Sequence, residues 1–118
     1  MLRPERAARV FLYSGVVDMR KSIDGLSLIV SEYLDLDPLS SSLFVFCNRQ
    51  KNKIKILHWD GTGFWLFYKR LEKSRFQWPQ VNNKDYLTLT RQQLGWLLDG
   101  LTLEQTQAHR KLNYQSVT

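Results

Sequence analysis

The chain has 118 residues, of which 43% are hydrophobic and 24% charged, and it carries a net charge of +6. That length and balance exclude an intrinsically disordered or fibrous chain and fit one compact domain, which buries roughly 65% of the surface its unfolded form exposes. No apolar run approaches the roughly 20 residues that cross a bilayer. The opening "MLRPERAARVFLYSGVV" lacks a long apolar stretch and a clear cleavage site, so a cytoplasmic protein with no membrane contact is expected.

In chain order, "RVFLYS" (Arg9 to Ser14) is a short apolar run bounded by Gly15 and predicts a first strand. Asp18 is placed to cap a helix. Beyond it Met19, Ile23, Leu26, Val30 and Tyr33 recur at helical spacing, which predicts a helix ending near Leu34 with those residues on its inner face. "DLDPLSSS" (Asp35 to Ser42) follows as a loop. "LFVFC" (Leu43 to Cys47), "KIKILHW" (Lys53 to Trp59) and "FWLFYKR" (Phe64 to Arg70) predict three strands, with turns at "NRQKN" and "DGTG". The four-residue turn with two glycines predicts an antiparallel hairpin. "FQW" and "YLTL" are candidates for further short strands. Thr90 followed by Gln93 forms a capping-box pattern, and Leu94, Leu97 and Leu98 give the ensuing helix an apolar face until Gly100 stops it.

These elements predict an α+β fold with a single domain over residues 1–101. An antiparallel sheet of about four to six strands carries two helices packed against one face. A polar tail without periodicity is expected over residues 102–118.

The positive charge is concentrated. Between Asn48 and Arg75 lie eight cations (Arg49, Lys51, Lys53, Lys55, Lys69, Arg70, Lys73, Arg75) and two acids (Asp60, Glu72), while the remainder of the chain carries nine of each sign. A block of this kind is the footprint of a surface that meets a polyanion. With the hairpin loop at Asp60 to Gly63, Trp59 pairs with Phe64, Leu57 with Leu66, Lys55 with Tyr68 and Lys53 with Arg70, all on one sheet face. Ile54, Ile56 and His58 share the other with Lys69, Phe67 and Trp65. Two like charges facing each other across strands are easier to accommodate when phosphates approach. Lys73 and Arg75 extend the patch, and Tyr68 or Trp78 is placed to stack on an unpaired base. Trp65, Phe67 and Phe76 belong more naturally to the core. Arg20 and Lys21 in "DMRK" form a second candidate phosphate contact, in the first turn of the predicted helix.

Catalytic signatures are absent. There is no serine elbow, glycine-rich phosphate loop, cysteine pair or His-x-x-x-His, so no catalytic residue, metal ligand or cofactor is expected. The lone Cys47 is expected to be a buried structural thiol and His58 a hydrogen-bonded core histidine. Asp18, Asp24 and Asp60 have structural explanations as cap, helix-surface and turn residues, and no spacing brings two of them together.

Three stretches, "GVVDMRKSIDGL", "LFVFCNRQKNKIKILHWDGTGFWLFYKRLEKSRFQWP" and "LTRQQLGWLLDGL", together resemble the TnpB (Orf2-like) accessory proteins of insertion-sequence-66-type bacterial transposable elements, from about Arg9 to Leu101. The matching residues are Asp18 to Lys21; Asp24 and Gly25; Lys55 and Trp59 to Gly61; Phe67 to Leu71; and Phe76, Trp78 and Pro79. Ser22 stands where that family often has glycine and His58 where an aromatic is common. The tail lacks the Arg/Pro-rich ending of many members. The resemblance implies a non-catalytic protein encoded beside a separate DDE transposase, with that transposase and the element's other accessory protein as partners. Together with the basic block it leads to the expectation of DNA binding through Lys53, Lys55, Tyr68, Lys69, Arg70, Lys73 and Arg75, with Arg20 and Lys21. The alternatives are a module that docks on the transposase without touching DNA, and a nuclease.

Overall fold

A computed structural model describes residues 9–79 and 85–101; the predicted tail lies outside the described residues. The elements are β1 (Val10–Val16), α1 (Ile23–Leu28) continued by a π-helical turn (Ile29–Tyr33), β2 (Leu43–Cys47), β3 (Lys53–Trp59), β4 (Phe64–Arg70), β5 (Tyr86–Leu89) and α2 (Arg91–Leu98). They form the expected α+β domain. Five strands make one sheet in the order β4-β3-β2-β1-β5.

The hairpin register is the one read from the sequence: Lys53 faces Arg70, Lys55 faces Tyr68, Leu57 faces Leu66 and Trp59 faces Phe64. Asp60 fixes this register. Its Oδ1 accepts from the backbone N–H of Thr62 and Gly63, and its Oδ2 from the Trp65 indole. Gly61 supplies the positive φ of 102° that the turn requires.

All neighbouring strands are antiparallel except one pair. β1 and β2 run parallel, with Val10 beside Leu43 and Leu12 beside Val45, so α1 is the crossover of a β–α–β unit. A bulge between Leu12 and Val16 ends the regular pairing. The two helices lie on opposite faces rather than on one. Phe11, Phe44, Phe46 and Leu57 pack with Leu26, Val30 and Leu34 beneath α1. Val10, Leu12, Val45, Cys47 and Ile56 pack with Leu94 and Leu97 of α2, and Phe76 joins them. The physical reason lies in β2, where all five residues are buried. A strand apolar at both parities requires cover on both sides.

Helix α1 departs from its predicted start and finish. Its N-cap is Ser22, not Asp18, and Asp18 closes a separate turn in which its carbonyl accepts from Lys21 N–H at 2.9 Å. Arg20 and Lys21 therefore precede the helix, and the argument from its dipole does not apply to them. At the far end the π-helical turn widens the spiral, so Leu34 takes the inward position (5% exposed) and Tyr33 is turned out (66% exposed). The segment "FQW" is not a strand; Phe76 is instead anchored by its N–H to the Lys51 carbonyl at 2.7 Å.

Helix α2 forms as its caps direct. Thr90 and Gln93 exchange both capping-box hydrogen bonds. At the other end Leu101 N–H donates to Trp96 O and Gly100 N–H to Leu97 O, with Gly100 at φ +83°, which is a Schellman closure.

Candidate nucleic-acid interface

The parallel pair ends at Val16 and Cys47, and beyond those carboxyl ends lies an open cleft of about 850 Å³. Crevices outside the carboxyl ends of parallel strands are recurrent ligand positions in α/β sheets. One wall is the chain leaving β1, from Val16 to Arg20. The opposite wall is the turn leaving β2, with Asn48, Arg49 and Gln50. The floor comes from the hairpin, through Lys53, Lys55 and Tyr68.

Both walls are built by hydrogen bonds local to them. In the first, Asp18 Oδ1 accepts from Arg20 N–H at 2.8 Å while the Arg20 guanidinium grips the same carboxylate, Nη2 to Oδ2 at 2.6 Å. The Arg20 hydrogen bonds hold the Asp18 carboxyl down at about 2. In the second, Asn48 is 7% exposed and organises the turn. Its Oδ1 accepts from the backbone N–H of Asn52 and Lys53, each at 3.1 Å, and its Nδ2 donates to Asn52 Oδ1 at 2.8 Å and Gln50 Oε1 at 3.1 Å. This lets Lys51 hold φ +63°. The same turn anchors the loop after β4, because Leu71 N–H donates to Asn52 O at 2.8 Å and Phe76 N–H to Lys51 O. The exposed Lys73 and Arg75 are thus carried on a loop fastened at both ends to the turn bearing Arg49 and Lys51.

The predicted contact residues fall into distinct environments. Arg20, Lys53, Lys55 and Tyr68 meet at the cleft. Lys55 is committed within it: its Nζ donates to the carbonyls of Met19 at 2.7 Å and Lys21 at 2.8 Å, pinning the first wall to the hairpin. Arg70 lies opposite Lys53 but pairs with Glu72 at 2.7 Å, which relieves much of their mutual repulsion without an anion. Lys69 is on the other sheet face, where its Nζ donates to Leu98 O at 2.7 Å, a cation at the carboxyl end of α2. Arg49, Lys51, Lys53, Lys73 and Arg75 form no ion pair among the described residues.

The aromatics divide likewise. Trp78 donates its indole N–H to Tyr13 O at 3.3 Å and packs against the core under α2. Trp65 is 39% exposed, but its ring stacks on Phe67 with centroids 5.7 Å apart. Tyr68 is 53% exposed and engages no other ring among the described residues. Of the residues on the cleft, Arg49, Asn48 and Gln50 had no sequence signal of contact beyond the membership of Arg49 in the basic block. The fold of their turn is what brings them opposite "DMRK".

The remaining chemistry-bearing groups have structural duties. His58 is 5% exposed, with Nδ1 3.3 Å from Ser42 O. Burial pushes the Cys47 thiol up to about 11, far from a reactive thiolate. The four hydrogen bonds to Asp60 hold its carboxyl well below the usual range. Among the described residues no three His, Cys, Asp or Glu side chains converge as metal ligands. Nor is any described helix long and apolar enough to cross a membrane.

A family model described as "IS66 Orf2 like protein" matches residues 8–108. Two proteins of Sinorhizobium fredii (strain NBRC 101917 / NGR234), known as the uncharacterized proteins y4hO and y4jC, are 39% and 31% identical to this chain over 101 residues. The alignments cover 86% of this chain and 87% and 86% of theirs, respectively. No solved structure matches it. On the extent of these matches, and on the "DMRK" turn and basic hairpin they span, the chain belongs to the IS66 Orf2-like family, the accessory proteins of IS66 insertion sequences.

Proposed function

We propose that this protein supports IS66 transposition as a non-catalytic, DNA-binding accessory factor, with the rim of the cleft and the adjoining loop as its phosphate-binding surface. The observation that carries the reading is the charge of the cleft. Arg20, Arg49, Lys53 and Lys55 line it against the single carboxylate of Asp18, which Arg20 already neutralises. Lys51, Lys73 and Arg75 continue the positive surface along the fastened loop, while Lys55 and Lys69 act mainly through the backbone carbonyls they hold. An unneutralised row of cations gains most from releasing the counterions of a polyanion.

Anisotropy titrations of the full chain on element-end DNA and on random DNA test this. Binding is expected to both, weakening steeply with salt. Arg49→Ala and Lys53→Ala should each reduce the magnitude of the log-log salt slope by about 0.9 on duplex, and Lys69→Ala should leave it unchanged. Absence of binding at low salt would defeat the reading.

A second reading rests on strand β4, a sheet edge that carries the exposed Trp65 and Tyr68. Its backbone edge, unpaired among the described residues, is the one a strand of the transposase would join, with the basic charge only steering the encounter. Capture by purified transposase in the absence of DNA, lost when Leu66 is replaced by Pro in an otherwise folded chain, would favour it.

A further inference from the structure

We infer that the cleft is a seat for an unpaired DNA nucleotide, whose base lies on the Tyr68 ring while the adjoining phosphates are held by Arg49 and Lys53. This rests on the DNA-binding reading and narrows it from a charged surface to single-stranded DNA.

The argument begins with the ring. Tyr68 is a large aromatic, 53% exposed, in the floor of a basic cleft. The other exposed aromatics among the described residues are accounted for: Trp65 stacks on Phe67 and gives its N–H to Asp60, and Tyr33 stands beside Glu32 and Asp35, a poor setting for a phosphate. Among the described residues, Tyr68 alone combines a ring stacked on no other with surrounding cations. Its strand partner Lys55 is held by two carbonyls, so that ammonium is kept to the wall. Arg49 and Lys53, with no ion pair, remain for an incoming anion.

The shape then selects the ligand. In a duplex each base face is covered by its neighbours, and a double helix presents only phosphates, sugars and groove edges to a concave surface. Only an unpaired base offers a π-face to the exposed Tyr68 ring beside those cations. The cleft of about 850 Å³ falls within the range of small-ligand sites and has room for a nucleotide with its phosphates toward the rim. The carboxylate that would repel those phosphates is the one gripped by Arg20. Each component is thus supplied by a different segment: stacking by β4, phosphate contact by β3 and the turn after β2, neutralisation by the turn after β1.

The test uses the full chain, a short fluorescein-labelled single strand and the duplex of the same sequence, both read by anisotropy. Stacking of one base predicts that Tyr68→Ala weakens single-strand binding about tenfold or more and leaves duplex binding unchanged. Tyr68→Phe, which keeps the ring, should bind the single strand as the parent does, and Arg49→Ala should weaken it in a salt-dependent manner. Thermal melts confirm that each variant is folded. If Tyr68→Ala binds the single strand as tightly as the parent, or loses equal affinity for both forms, the cleft is not a base seat. If the parent binds neither form, the DNA-binding reading falls with it. Binding of both forms with indifference to Tyr68 overturns the present inference alone.

Discussion

Asn48 offers the sharpest test of how the cleft is held together. Its Oδ1 is the acceptor for two backbone N–H groups, of Asn52 and Lys53, in a part-buried turn, and its Nδ2 engages Asn52 and Gln50. Asn48→Ala removes all four contacts and leaves two donors without their partner. At about 1 to 1.5 kcal/mol for each backbone N–H orphaned in a partly buried site, the loss is about 2 to 3 kcal/mol. For a domain of this size that corresponds to a fall in melting temperature of about 10 to 15 °C. Urea unfolding should show a lower midpoint with an unchanged m-value, since the native core is untouched. Asn48→Asp keeps the Oδ1 acceptor and loses only the two side-chain donations, so it should recover more than half of the stability. If Asn48→Ala costs less than about 0.5 kcal/mol, the side chain does not organise the turn. The same would follow if Asn48→Asp were as damaging as Asn48→Ala.

Other consequences can be checked separately. Lys55→Met keeps the aliphatic stem but removes the donor to the Met19 and Lys21 carbonyls, and should cost about 1 to 2 kcal/mol in urea unfolding. Hydrogen exchange should quicken at the Lys21 amide, and no such change would assign Lys55 to solvent or ligand instead. Thr90→Ala breaks the capping box and should destabilise the fold by about 1 kcal/mol, with little change for Thr90→Ser. The Asp18 carboxyl is lowered in the fold, so its contribution is fully present above the unfolded carboxylate pKa. It is lost as pH falls through about 2. The stability gap between the parent and Asp18→Asn should accordingly close between about pH 4 and pH 2, and a gap that persists at the acid end would refute the Arg20 pairing as its source. Cys47, buried and with its pKa pushed to about 11, should resist a thiol-specific disulfide reagent in the native protein at about pH 8 and react fully in urea. Prompt native reaction would mean that the strand opens.

The sequence by itself determined what depends on neighbours along the chain. The boundaries of β2, β3 and β4 follow from apolar runs between turn signals. The hairpin register follows from a loop of defined length, because each residue added or removed would exchange the two faces. The capping box and Gly100 set both ends of α2. The restriction of excess positive charge to residues 48–75 is a matter of counting, and the family was legible in the same run.

What only the tertiary structure decided depends on which of several competing partners folding gives each group. Asp18 had the chemistry of a helix cap, but the Arg20 guanidinium and N–H took its carboxylate, and the helix began five residues beyond it, after the Ser22 cap. Periodicity put Tyr33 inward, and one π-helical turn gave that position to Leu34. No local signal showed that β1 and β2 are parallel, and that pairing leaves a crevice at the strand ends. Folding also divides a single run of basic residues into different roles. Lys69 caps α2, Lys55 pins a wall, Arg70 pairs with Glu72, and Lys53 and Arg49 keep their charge open beside Tyr68. Charge is additive along a sequence and can be read there. Which charges remain unpaired depends on the carbonyls and carboxylates that folding brings within hydrogen-bond distance, and that information lies in the tertiary contacts.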